Sequence, residues 1–121
     1  MNNSNYPHGK QLSMLAFGRV KYTDGKLVAT IKTFDKSSLT VSYESTGEYH
    51  MKIPTGWFSD LNNCMINCTV VADTSDANFP IAVVPVRDVA NSTIQFRLYD
   101  DGNTRRNGSF EFFIYPLTTW Y

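Results

Sequence analysis

Residues 39–53 read LTVSYESTGEYHMKI, and this stretch decides the fold class. In its first arm Leu39, Val41 and Tyr43 alternate with Thr40 and Ser42. In its second, Tyr49, Met51 and Ile53 alternate with Glu48, His50 and Lys52. Neighbouring side chains on a strand point to opposite faces, so a period of two predicts strands with one apolar and one polar face. Thr46-Gly47 supplies the turn between them, and the two arms read as a hairpin.

The same period extends to both sides. Upstream, residues 15–22 set Leu15 and Phe17 against Ala16, Gly18 and Val20, and Thr23-Asp24-Gly25 provides a tight turn because Asp-Gly accepts positive φ. Residues 26–34 answer with Leu27, Ala29 and Ile31 on one face. Downstream, residues 54–63 carry Pro54, Gly56 and a polar run, and read as a loop. Residues 64–72 form a long apolar strand and residues 73–78 a polar loop. Residues 81–86 are almost continuously apolar, which predicts a strand buried on both faces, although Pro85 is a residue of edges and bulges. In residues 93–99 Ile94, Phe96 and Leu98 alternate with Thr93, Gln95, Arg97 and Tyr99. After a loop at 100–108, residues 109–115 close the chain with either Phe110, Phe112 and Ile114 or Phe113 and Tyr115 inward.

No apolar stripe of helical period lasts three turns. About eight strands with turn signals every 8–12 residues predict an all-β fold, a single antiparallel β-sandwich or jelly roll. The expected organisation is a lead-in or linker at residues 1–11 and a sandwich domain at residues 12–121.

Eleven basic residues balance eleven acidic ones, and charged residues make up 18% of the chain. A neutral surface steers neither nucleic acid nor anionic membrane toward itself, so neither is an expected partner. No apolar run reaches the ~20 residues of a membrane helix, which argues against insertion. The opening residues MNNSNYPHG lack the apolar core of a secretory signal. This composition, rich in Thr, Ser and Asn, suits an extracellular or virion-borne β-protein.

Cys64 and Cys68 lie four apart on one predicted strand. At about 3.3 Å per residue their Cα atoms are ~13 Å apart, too far for a disulfide, which needs less than roughly 7 Å, or for a shared metal. Both read as thiols packed like small apolar residues. Motifs for catalysis and cofactors are absent from the sequence, so neither an enzyme nor a cofactor is expected. His50 reads as an outward strand residue. Glu44 and Glu48 flank the Thr46-Gly47 turn and could meet across it, but carboxylates beside a surface turn are ordinarily solvated.

Binding chemistry concentrates in loops. Asp73, Asp76 and Asn78 offer oxygen acceptors without the spacing of a calcium loop. Asp101, Asn103, Arg105 and Arg106 share the 100–108 loop with Asp100, and the two guanidinium groups could grip a carboxylate or an acidic sugar. Tyr99 just before it is a stacking platform. Consecutive sandwich loops alternate between ends, so the 73–78 and 100–108 loops are expected at the same end, with residues 88–92 at the other. Trp57 has two readings, a sugar-stacking ring or a staple that holds its loop to the core, and the area an indole buries favours the staple. Asn67, Asn91 and Asn107 each open a glycosylation sequon.

Three groups of residues carry a resemblance. They are Phe17-Gly18-Arg19-Val20, then Gly47-x-Tyr49-x-Met51-x-Ile53-Pro54 leading to Trp57-Phe58, and Thr93-x-x-Phe96-x-x-Tyr99-Asp100 before Gly108-Ser109-Phe110-Glu111-Phe112-Phe113-Ile114. Across residues 16–116 the chain resembles the distal head domains of phage tail fibres and their prophage relatives. It is also similar to complement and tumour-necrosis-factor jelly rolls and to the trimeric sandwiches of H-type lectins. The resemblance implies a homotrimer in a virion or outside the cell that binds a bacterial surface glycan or protein. A structural decoration or tail-assembly module is the alternative it allows.

Overall fold

The computed structural model describes residues 14–58, 61–72 and 79–117. Three hairpins form where a residue that tolerates positive φ separates two alternating runs. Asp24 and Gly25, at φ of 52° and 78°, join β1 (Ala16–Thr23) to β2 (Lys26–Thr33), with Thr23 opposite Lys26. Gly47, at φ 70°, joins β3 (Val41–Ser45) to β4 (Glu48–Lys52), with a bulge between Tyr43 and Ser45. A 3-10 turn at Val89–Asn91 and Ser92 at φ 49° join β6 (Ala82–Asp88) to β7 (Thr93–Tyr99).

The other two strands, β5 (Cys64–Val71) and β8 (Ser109–Pro116), pair only over long range. β8 inserts between β1 and β5, and β4 pairs with β7. The result is two four-stranded antiparallel sheets ordered β2-β1-β8-β5 and β3-β4-β7-β6. The expected all-β sandwich of about eight strands is the observed fold.

The inward faces supply the core. Val20, Phe110, Phe112 and Ile114 from the first sheet meet Tyr49, Met51, Ile94, Phe96 and Leu98 from the second, all fully buried. Of the two alternatives for β8, the structure takes Phe110, Phe112 and Ile114 inward. The Phe96 ring lies 4.7 Å from that of Phe110 and 5.4 Å from that of Phe112. Trp57 and Phe58 pack on this core from the segment after β4, and Trp57 Nε1 donates to Asp35 Oδ2 at 3.1 Å, as a staple would.

Three expectations need correction. The run at 81–86 is not buried on both faces: β6 is an edge strand, paired only with β7, with Ala82 and Val84 exposed. Pro85 has no N–H to give a second neighbour, so it belongs at an edge. β3 begins at Val41 rather than Leu39, although Leu39 is still buried. Tyr43 lies 40% exposed at one end of the sandwich, stacked on Tyr22 at 4.9 Å between ring centroids. The lead-in at residues 1–11 lies outside the described residues.

Register fixes which loops share an end. Val71 and the Tyr22 N–H both meet Ser109, Glu48 faces Arg97, and Ala82 faces Tyr99. The turns at 24–25 and 46–47, the exits of the 72–81 connection and the 100–108 loop therefore gather at one end, here called distal. Leu15 and Leu117 lie at the opposite, basal end, where the Leu15 N–H donates to Ile114 and the Leu117 N–H to Asn63.

Candidate functional site

At the distal end the 100–108 loop is built around one carboxylate. Asp100 Oδ1 accepts from the backbone N–H groups of Gly102 (2.9 Å) and Thr104 (3.0 Å). Its Oδ2 accepts from Arg106 Nε and Nη2 at 3.2 and 3.0 Å. The Asp100 N–H in turn donates to the Thr104 carbonyl at 2.9 Å, closing a turn in which Asn103 takes φ 66°. The Thr104 amide, with the Arg106 guanidinium, holds the Asp100 carboxyl below its usual range.

The returning segment is clamped from both sides. Gly47 N–H donates to Asn107 Oδ1 at 2.8 Å, and a Cβ on Gly47 would sit 2.7 Å from the Arg106 nitrogen and 2.8 Å from the Leu98 oxygen. Only glycine allows the β3–β4 turn to approach that closely at positive φ. Beneath it, the buried Tyr49 hydroxyl accepts from the Gly108 N–H at 3.2 Å.

Beside this loop, the outer face of the second sheet carries a polar network. β4 and β7 are its central strands, and their register sets Glu48 against Arg97 and His50 against Gln95. Glu48 collects three cationic or imidazole groups: His50 Nε2 at 2.7 Å, Arg105 Nη1 at 2.8 Å and Arg97 Nε at 3.7 Å. The last distance is too long for a hydrogen bond, and the buried Arg97 Nε–H has no acceptor among the described residues, while Arg97 Nη2 donates to Gln95 Oε1 at 2.7 Å. The Arg105 guanidinium also lies over the Tyr99 ring, 5.5 Å from its centroid. The hydrogen bond to His50, joined by the Arg105 guanidinium, holds the Glu48 carboxyl below its usual range.

The expected binding residues are thus divided. Tyr99 and Arg105 come together, with Arg105 turned to Glu48. Arg106 is tied to Asp100, and Asp101 and Asn103 are exposed at the loop tip. Asp73, Asp76 and Asn78 lie outside the described residues. Both guanidinium groups already hold carboxylates, and 35% of the side chain of Arg105 and 39% of that of Arg106 remain exposed.

Glu48, His50, Gln95 and Arg97 are the network members that loop-centred reasoning passed over. His50 is half-buried against Glu48 rather than simply exposed. Glu48 turns toward β7, whereas Glu44 accepts from the Ser42 hydroxyl at 2.8 Å, so the two do not form a carboxylate pair.

Elsewhere, Cys64 and Cys68 are free thiols on the inward face of β5. Among the described residues, no group of three or more His, Cys, Asp or Glu is placed to hold a metal, and no helix is long and apolar enough to cross a membrane. Comparison with family models, with curated proteins and with solved structures finds no match in any of the three.

Proposed function

We propose that this chain is a non-enzymatic receptor-binding head of a phage or phage-derived tail fibre, which recognises a bacterial surface glycan or protein as a trimer. The observation that carries the proposal is the polar network of Glu48, His50, Gln95, Arg97, Arg105 and Tyr99, set at the distal end, away from where Leu15 and Leu117 lie.

A head at a fibre tip needs this polarity: attachment at one end, recognition at the other. The network supplies rigid donors and acceptors on strands, with a tyrosine face for stacking. The exposed third of the Arg97 and Arg105 side chains carries guanidinium surface that a ligand oxygen can meet. Each such hydrogen bond contributes about 0.5–1.5 kcal/mol net, so one site binds weakly and three linked sites raise the avidity. Binding without catalysis also fits the carboxylates. Glu48 and Asp100 are held ionised by their partners, which suits a scaffold and not a general acid near neutral pH.

The test is to measure the chain on arrays of bacterial glycans and on whole cells of a broad panel of strains. A receptor head binds a restricted subset in a saturable manner. A chain that binds no glycan and no strain, while assembling normally, is a structural module instead.

A further inference from the structure

The central strands of the two sheets present different chemistry to solvent. The outer face of β4 and β7 is polar, whereas the first sheet carries at its basal half a row of apolar side chains and, beside it, an aromatic pair flanked by Lys32 and Asn67. The row crosses the sheet through Phe34, Leu15, Tyr115 and Met65. The next places Phe17 beside Phe113, their rings stacked at 6.4 Å on the two central strands. Phe17, Phe34, Met65 and Phe113 are 43%, 59%, 49% and 37% exposed. A groove of about 540 Å³ runs along this face, with Phe17 and Phe113 on one side and Thr30 and Lys32 on the other.

From this we infer that the basal half of the β2-β1-β8-β5 face is where copies of this chain contact one another. The inference rests on the proposed trimer only for the number of copies. With roughly 200 Å² for a whole aromatic side chain, four half-exposed residues leave roughly 400 Å² of apolar surface, about half of the ~800 Å² each partner contributes to a stable interface. Leu15 and Tyr115, partly exposed, add to it.

Charge points to a second copy rather than to a charged partner. The next row holds Arg19 and Glu111, already paired through Arg19 Nε at 2.8 Å, with Arg19 63% exposed. A face that carries both signs can exchange such pairs with its own copy, and the chain's net charge of zero imposes no repulsion between copies. Contact at the basal half also brings Leu15 and Leu117 of neighbouring copies toward one another and leaves the distal networks apart. Asn67 stands beside Phe113 on this face, so a glycan on that sequon would block the contact.

The experiment is light scattering and sedimentation of the full chain at micromolar concentration, beside Phe17→Thr/Phe113→Thr and Met65→Lys. Thr keeps strand propensity, and Met65 is an exposed edge-strand residue, so Met65→Lys is tolerated by the folded protomer even where the double change is not. The wild-type chain is expected near 41 kDa, three times 13.7 kDa. Met65→Lys should weaken association at least tenfold, and the double change should give a folded 13.7 kDa species. A dimer weakened by the same changes upholds this face and contradicts the trimer. A wild-type monomer, its apolar face covered by its own terminal residues or by nothing, overturns the inference. So does association that Met65→Lys leaves unaltered. Cell binding, read separately, tests the receptor function, which can fail while the face holds.

Discussion

Asp100 shows how much one side chain can organise. Its two oxygens accept from two loop amides and a guanidinium, and the carboxyl is held low by the Thr104 amide and then by Arg106. Glu48 is held low in the same direction by His50 and Arg105. A carboxyl with a lowered folded-state pKa stabilises the fold fully above its unfolded value of ~4, and that contribution is lost as pH falls through the folded value. Thermal melts from pH 7 to pH 2.5 should therefore fall in the acid limb. Asp100→Asn should show a shallower limb, and an unchanged slope would remove Asp100 from this role. The cysteines behave oppositely, since burial pushes the Cys68 thiol up to about 11 and raises that of Cys64. At pH 8 about one Cys68 in a thousand is thiolate, against about a quarter for an ordinary cysteine. Both should react with a thiol reagent only slowly until denaturant is added, and rapid labelling of the native chain would contradict the burial of Cys64 and the partial burial of Cys68.

The strands and turns were legible in unequal measure. Asp24-Gly25 and Thr46-Gly47 announced two hairpins because turn chemistry is local, and the alternation of β4 and β7 named Tyr49, Met51, Ile94, Phe96 and Leu98 as core. The insertion of β8 between β1 and β5, and the pairing of β4 with β7, join residues far apart in sequence. No local pattern sets such pairings, and they are what place Arg97 and Gln95 beside Glu48 and His50. Tyr99 and Arg105 were therefore legible as neighbours at one end of the sandwich, while the other four members of their network, Glu48, His50, Gln95 and Arg97, were not. At this scale Gly47 is the sharpest test. A Cβ there meets the Arg106 nitrogen at 2.7 Å on a backbone with φ 70°, so Gly47→Ala should cost about 2 kcal/mol or more and detach the β3–β4 turn from the 105–107 segment. Chemical denaturation measures the loss, and a change below ~0.5 kcal/mol would show that the turn is not clamped. Tyr49→Phe, which leaves the Gly108 N–H without its acceptor, should cost about 1 kcal/mol in the same assay.

Across the whole molecule the sandwich is polarised twice. The 24–25 and 46–47 turns, the 100–108 loop and the polar network gather distally and Leu15, Leu117 and the Trp57 loop basally, while the central strands of one sheet present a polar outer face and those of the other an outer face apolar in its basal half. On that polarity the proposed binding surface and the proposed assembly surface are separable, so variants of one should spare the other. The most direct measurement is binding of the intact chain to a responsive bacterial strain, compared with Tyr99→Ala/Arg105→Gln and with Trp57→Ala, with mass and melting temperature recorded for each. Receptor recognition at the distal network predicts at least a tenfold loss for the Tyr99/Arg105 pair at unchanged mass, and near-wild-type binding for folded Trp57→Ala. Unaltered binding by the Tyr99/Arg105 pair, together with loss on Trp57→Ala in a domain that remains folded, would contradict it and move recognition to the basal loop.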